Sequence, residues 1–385
     1  MSIDPRRVGV ALAGYCAFLN LYAPQAILPS LADEFGVTAG QISAIMTAGT
    51  LSIAMTAPFT GAIADVLGRK LVITAAMVAV AVPTLLIALA PDVHWIVLWR
   101  FVQGLVLPPV FAVALAYIGD EWPAGEVASV AGTYMTGASL GGFSGRFITG
   151  VLTDLVGWRP AFASLALLTI VCAIGFGLML EKERHFVRSE GIGASVRQML
   201  RHIVNPKLVP IYAVGFGVLF NFIAVFTYVN FHLAAPPYLF TPSMLGLIFL
   251  SYLVGSGAVT LTGRAVALFG RRRFVLGVLA VWACGVAMLL ATPLWIIMTG
   301  LVVCATCGLF CQSVSTGAVT ATAKEGRSSA VGLYVSTFYV GGSVGASLPG
   351  LAWHFGGWPA TVAMVLGMIA VMATIVAVFW TERPA

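Results

Sequence analysis

Arg100 and Arg146 are each the only charged residue in a long apolar run, 95–118 and 127–151. A central arginine costs about 2.5–3.5 kcal/mol to place in a hydrocarbon layer, so such a group normally faces protein and has a partner. Arg100 lies about five residues into its run and could instead snorkel outward along its aliphatic stem. Arg146, near the outer end of its run, has Asp33, Glu34 and Asp154 as candidate partners, which reads as an outer-face ionic tether or a contact for an anionic solute. All fourteen acids fall at the ends of apolar runs or between them. A proton-coupled machine usually needs a buried group whose affinity for protons changes between states. The candidates nearest to that description are Asp33, Glu34 and His232.

The elements that must position these residues follow from composition. The chain of 385 residues is 60% hydrophobic and 9% charged, with a mean hydropathy of +1.00, too few charges to cover a water-facing surface. Twelve apolar runs of ~20 residues, each long enough to cross a bilayer as a helix, occupy about 8–31, 41–63, 71–90, 95–118, 127–151, 160–180, 208–231, 243–263, 274–291, 294–317, 329–350 and 359–380. Their length and lack of alternation exclude barrel strands. With both termini cytoplasmic, every basic residue except Arg100, Arg146 and Arg159 falls on the inner side, as the positive-inside bias requires. The net charge of +6 is therefore a topology signal. It is dispersed over short turns and does not form a nucleic-acid patch. The first run lacks a small-residue cleavage site and reads as a retained helix.

The runs form two copies. Thr60-Gly61-Ala62-Ile63-Ala64-Asp65-Val66-Leu67-Gly68-Arg69-Lys70 returns as Thr262-Gly263-Arg264-Ala265-Val266-Ala267-Leu268-Phe269-Gly270-Arg271-Arg272. Ser129, Gly132, Tyr134, Gly141, Gly142, Gly145, Gly150, Gly157 and Trp158 each recur 200 positions later. Six spans per copy place the copies in the same orientation, a parallel repeat about an axis normal to the membrane. The reading is an all-α integral membrane protein: a six-helix bundle over 1–180, a cytoplasmic linker over 181–207 and a second bundle over 208–385. In the linker, Val196, Met199, Leu200 and Ile203 oppose Arg197, Arg201 and His202, the pattern of a helix lying on the inner membrane surface. Asp65 can pair with a basic residue or cap the next helix, and Ala267 replaces it in the second copy. That makes Asp65, with Gly61, Gly68 and Arg69, a one-sided latch on the inner face. The six cysteines lie in apolar spans and read as packing residues. Cys304, Cys307 and Cys311 share a helical face, but no basic neighbour favours thiolates, so no metal and no cofactor is expected.

Gly61-x-x-x-Asp65-x-x-Gly68-Arg69-Lys70 resembles the loop signature between helices 2 and 3 of the major facilitator superfamily, and Arg100-x-x-x-Gly104 its helix-4 signature. Gly132-x8-Gly141-x3-Gly145 resembles the helix-5 signature of that superfamily's proton-coupled drug exporters. Here Arg146 stands where that signature continues with proline, and Thr149 where it has glycine. Ala234-Ala235-Pro236-Pro237 and Ser144-Gly145-Arg146 resemble a bacterial branch of efflux permeases associated with acriflavine sensitivity. The resemblance spans essentially the whole chain. It implies a transporter of twelve helices in a bacterial inner membrane, with Arg100 tied to proton movement. It also implies that helices 5 and 11 contact the opposite half, which makes Gly141, Gly145, Gly341 and Gly345 gating residues. Helices 1, 4, 7 and 10 would line the cavity, offering Asn20, Tyr22, Gln25, Gln103, Asn221, Tyr228, Asn230, Gln312, Ser313 and Thr316.

The expected activity is alternating-access transport by a monomer, exporting a small neutral or amphipathic solute in exchange for protons. One proton crossing 100 mV supplies about 2.3 kcal/mol, enough to drive a useful gradient. Import or uniport of a metabolite is the alternative within transport. An embedded sensor lacks a soluble output domain in this sequence, and an embedded enzyme lacks a His-x-x-x-His or an intramembrane acid pair.

Overall fold

In the computed structural model the described residues are 4–181, 183, 201–323 and 326–380, with the side chains of Ala62, Asp65, Ala124, Arg327 and Ser328 outside that set. Twelve helices form two six-helix repeats. The first six are α1 (Pro5–Phe35), α2 (39–67), α3 (Arg69–Ala88), α4 (Val93–Glu121), α5 (Ala124–Val156) and α6 (Trp158–Met179). The second six are α7 (Val209–Ala234), α8 (Pro242–Phe269), α9 (Arg271–Met288), α10 (Leu294–Thr322), α11 (327–355) and α12 (358–379). A break at Gly356 and Gly357 separates the last two. Most helices outrun the apolar segments that announce them, because their ends continue into the polar turns. Of the linker's amphipathic pattern, only Arg201, His202 and Ile203 are described, and they are helical. Val196, Met199 and Leu200 lie outside the described residues.

The repeated turns have a conformational cause. Gly68 and Gly270 carry φ of 95° and 77°, and Gly157 and Gly357 φ of 93° and 60°. Side chains with a Cβ rarely adopt that region, so the same glycine ends the same helix in each copy.

Close packing inside each half also rests on glycine. A Cβ added at Gly137, Gly141 or Gly145 of α5 would lie 2.1, 2.1 and 2.2 Å from the carbonyl oxygens of Ala11, Tyr15 and Leu19 on α1. In the second half, a Cβ added at Gly341 or Gly345 of α11 would lie 2.1 and 2.4 Å from the carbonyl oxygens of Phe216 and Phe220 on α7. Without a hydrophobic drive between helices in lipid, such small-residue stripes let dispersion act between backbones. This corrects one placement. Gly141, Gly145, Gly341 and Gly345 face the first helix of their own half, not the opposite half. Glycines that meet the other half include Gly150 against Pro242 and Gly40 against Gly350 at the outer ends, and Gly332 against Pro58 nearer the inner end. Outward-facing Leu71, Leu178, Leu268 and Phe355 are 62%, 82%, 78% and 85% exposed, the lipid-facing coat that the low charge content requires.

Several of the described helices are interrupted along their length. Pro24 begins a 3-10 turn over Ala23–Ile27 in α1, a π segment over Pro109–Val113 interrupts α4, and a 3-10 turn over Val259–Leu261 interrupts α8. Replacing Gly141 by alanine forces a Cβ into the Tyr15 carbonyl, and overpacking of this kind costs about 1–3 kcal/mol. Gly132→Ala meets nothing within 4 Å and gains helix propensity. Thermal unfolding in detergent should therefore show Gly141→Ala below the parent protein and Gly132→Ala at or above it. Equal midpoints for both variants would disprove the packing account.

Candidate functional site: two buried arginines and a polar seam

Arg100 is 1% exposed and does not snorkel. Its Nη1 donates to the Asn20 carbonyl at 2.9 Å, Nη2 to the Leu21 carbonyl at 2.6 Å and Nε to the Ile45 carbonyl at 3.4 Å. Nη1 also donates to Oε1 of Gln103. The backbone supplies these acceptors for a reason visible in the chain. Pro24 has no N–H, so the carbonyl of Asn20, four residues earlier, has no helical donor. Arg100 takes that place. Gly49 leaves room for it, since a Cβ there would lie 2.9 Å from Nη2.

The network continues through neutral side chains. Gln103 donates to Thr84 at 2.6 Å, Thr84 to Asn20 Oδ1 at 2.8 Å, and Asn20 Nδ2 to Thr169 at 2.9 Å. Five helices (α1, α2, α3, α4 and α6) are thus tied within the first half. Asn20 and Gln103, each 1% exposed, are used up here and do not line a cavity, a correction to the sequence expectation. The second copy keeps the asparagine and loses the rest. Asn221 packs with Nδ2 3.4 Å from the Met372 sulfur, and its Oδ1 has no partner among the described residues. At Arg100 and Gln103 the repeat has Gly300 and Val303.

Arg146 is 2% exposed and sits between the halves. Tyr22 and Phe249 cover its guanidinium at 4.3 and 4.1 Å, and Tyr252 stands at 5.2 Å. Nε and Nη2 both donate to the single oxygen Oε1 of Gln25, at 2.9 and 2.7 Å, and Nη1 donates to the Gly142 carbonyl at 2.7 Å. The expected ion pairs with Asp33, Glu34 and Asp154 do not form. Asp154 instead accepts from the Ser243 backbone N–H at 2.9 Å and from its hydroxyl. Glu34 accepts from Arg159 at 3.0 Å and from the Trp158 indole at 2.7 Å, which explains how the one outer-loop arginine is accommodated. The physical reason is depth: the acids lie in the outer turns, whereas Arg146 lies two helical turns below Asp154.

Around Arg146 runs the outer seam between halves. Gln25 Nε2 donates to Thr227 at 3.0 Å, and Asn230 Nδ2 to the Gln25 carbonyl at 3.0 Å. That carbonyl has no i+4 helical donor, because Pro29, four residues on, has no N–H. Tyr228 meets Ser43 at 3.1 Å and donates to the Ala346 carbonyl at 2.8 Å, while Thr50 and Ser343 are 2.9 Å apart. Deeper in, Ser139 of α5 and Ser256 of α8 are 3.0 Å apart, and Phe111 stacks on Tyr339 at 5.9 Å. Gln25, Tyr228 and Asn230 are fully buried in this seam, whereas Tyr22, Gln312, Ser313 and Thr316 are partly exposed. Toward the inner end α5 and α10 leave space beside them: a Cβ at Gly132 or Gly317 would meet nothing within 4 Å.

At the inner turn, Arg69 pairs with Asp120 at 2.7 Å, and Glu183 accepts from the Arg69 and Lys70 backbone N–H groups at 3.1 and 3.4 Å. Glu183 thereby caps the N-terminus of α3. A Cβ at Gly68 would lie 2.4 Å from its carboxylate, so this glycine also makes room for the cap. Asp120 and Glu183 were missed from the sequence, where only their position at the ends of apolar runs marked them. Asp65 lies on the last turns of α2, with its side chain outside the described residues. Asp33 and Glu34 are exposed at the outer end, and His232 stacks on Trp358 at 5.2 Å.

Two parallel six-helix repeats, closed on one another by a polar seam and, among the described residues, carrying buried charge only in the first, define a helical membrane transporter. The family model described as Major Facilitator Superfamily matches residues 10–238 and again 221–385, and the chain belongs to that superfamily. It is 32% identical over 376 residues to the inner membrane transport protein YnfM of Escherichia coli, covering 95% of this chain and 88% of that protein. The multidrug resistance protein MdtG of Citrobacter koseri is 30% identical over 207 residues, 52% of this chain and 50% of that one. A point mutant of the nucleoside transporter NupG shares the fold, with a TM-score of 0.82, 12% identity and coverage of 98% and 100%. The protein is a multi-pass protein of the bacterial inner membrane.

Removing Arg100 leaves the Asn20 and Leu21 carbonyls and Gln103 without their donor. Each buried unsatisfied group costs about 1–3 kcal/mol. Arg100→Leu should therefore unfold well below the parent protein, with Arg100→Lys between them because an ammonium cannot span acceptors on α1, α2 and α4 together. Detergent melting curves that place Arg100→Leu level with the parent protein would contradict this role.

Proposed function

We propose that the chain exports a small amphipathic organic solute by alternating access, in exchange for protons, working as a monomer. The observation that carries the transport cycle is the outer seam. Among the described residues its bonds join neutral groups, apart from the Asp154 carboxylate that accepts from Ser243, so parting the halves separates no ion pair there and leaves donors and acceptors for water or solute. The MdtG likeness, partial in length, favours the outward direction. The two bundles, 1–180 and 208–385 about the 181–207 linker, rock against each other, with the outer end closed as described.

On this reading the seam and the inner turn are alternate gates. Arg69 with Asp120, Glu183 as cap and Asp65 on the same turn hold the inner one, with Gly61 and Gly68 allowing the tight turn. Gly141, Gly145, Gly341 and Gly345 make each half rigid enough to move as a body. Tyr22, Gln312, Ser313 and Thr316 meet the solute, and Asn221, Tyr228 and Asn230 become available when the seam opens. Protons are exchanged through a group near the outer end, with Asp33, Glu34 and His232 as candidates and Arg100 as the fixed positive charge of the first half.

Cells carrying the gene should accumulate less of at least one member of a panel of cationic, neutral and anionic fluorescent dyes than cells without it, by several-fold; higher accumulation would reverse the direction. In proteoliposomes, that dye added outside should enter and make the lumen more alkaline as protons leave. Dye flux with an unchanged luminal pH reading would remove the exchange and leave the transport.

A further inference from the structure

Arg100 and Arg146 are both buried guanidiniums, but they are satisfied differently. Arg100 spends its donors on three backbone carbonyls and Gln103. Arg146 points its Nε–Nη2 edge, the fork that matches a carboxylate with two parallel bonds, at one neutral oxygen of Gln25. Tyr22 and Phe249 hold the plane of the group from its faces at 4.3 and 4.1 Å. The fork is therefore oriented in advance, while the second oxygen it is shaped for is missing. No Asp or Glu is among the buried residues described, so a positive charge stands out of water without a counter-ion. Such a charge is costly, and an anion brought to it relieves that cost.

Tyr15, Phe18 and Tyr22 recur at i, i+3 and i+7 along α1 and are all partly exposed. This aromatic stripe ends on the ring that covers Arg146, and an apolar or aromatic body can lie along it.

We propose that the transported solute is an amphipathic organic anion, a carboxylate on an apolar or aromatic body, and that Arg146 is its recognition residue. The solute carboxylate takes the Nε–Nη2 fork and displaces the Gln25 carboxamide. Gln25 also holds Thr227 of the opposite half, and Phe249 and Tyr252 belong to that half, so occupancy of the fork loosens the seam from within. This inference rests on the transporter reading and adds the charge of its cargo.

The test uses the purified full chain and matched pairs of acid and primary amide: benzoate with benzamide, phenylacetate with phenylacetamide, and indole-3-acetate with indole-3-acetamide. At least one acid should raise the melting midpoint with an apparent affinity tenfold or more above its amide. Arg146→Gln should remove that preference, and Arg146→Lys should keep part of it. Gln25→Glu supplies the missing charge from the protein itself and can still accept from the Thr227 hydroxyl. That variant should melt higher than the parent protein and lose the acid response. Acids and amides acting equally, no acid acting, or an undiminished acid response in Gln25→Glu would each overturn the inference. Dye flux in the same preparation separates this from the wider reading. Flux without acid preference overturns the anion alone, whereas acid binding with neither dye nor acid flux overturns transport.

Discussion

A guanidinium out of water must have its donors answered by something close, and among the described residues no buried carboxylate does so. Backbone carbonyls and carboxamides answer instead. Pro24 releases the Asn20 carbonyl to Arg100, and Arg146 takes the Gln25 carboxamide and the Gly142 carbonyl. The irregular outer half of α1 thus helps to seat the charges of the first half. Lipid-exposed backbone cannot be broken in this way, but backbone buried among other helices can. The break sits where α1 is covered by α2, α5, α7 and α8, and Ala23–Ile27 are buried.

The same constraint explains the asymmetry between repeats. The architecture is duplicated down to the turn glycines and the α1–α5 and α7–α11 contacts. The polar cluster is not: Gly300 and Val303 stand where Arg100 and Gln103 would recur, and Asn221 is left with a sulfur for a partner. A half with no buried charge needs no freed carbonyls, and α7 is accordingly one continuous helix from Val209 to Ala234. The first half carries the chemistry, and the second offers Phe249, Tyr252, Thr227 and Asn230 as a surface that meets it.

Class, helix number and duplication were legible in the sequence because they depend on local quantities: run length, the inside bias of basic residues, and glycines at turns that require positive φ. Partners across helices were not. The four-residue spacing of Gly141 and Gly145 marks one face of α5 as flat, but spacing cannot say which helix lies against it. Polar residues within spans posed the same difficulty. Asn20 and Gln103 look like cavity residues by type, yet they are consumed by Arg100, and Gln25 was a candidate whose actual neighbour, Arg146, is 121 positions away. The proline offset was the available signal. Pro24 and Pro29 stand four residues after Asn20 and Gln25, and each predicts an unserved carbonyl at a known place.

For Arg146 the sequence offered acids, and the structure chose an amide. An acid at Gln25 would have neutralised Arg146 with an ion pair inside the first half, leaving no charge for anything that enters. An amide satisfies the cation and can give it up at the cost of hydrogen bonds alone. The aromatic rings remain on the guanidinium faces meanwhile, so its orientation does not depend on Gln25. A neutral partner is what a reversible contact to a buried cation calls for, and it leaves the charge of Arg146 available to whatever enters.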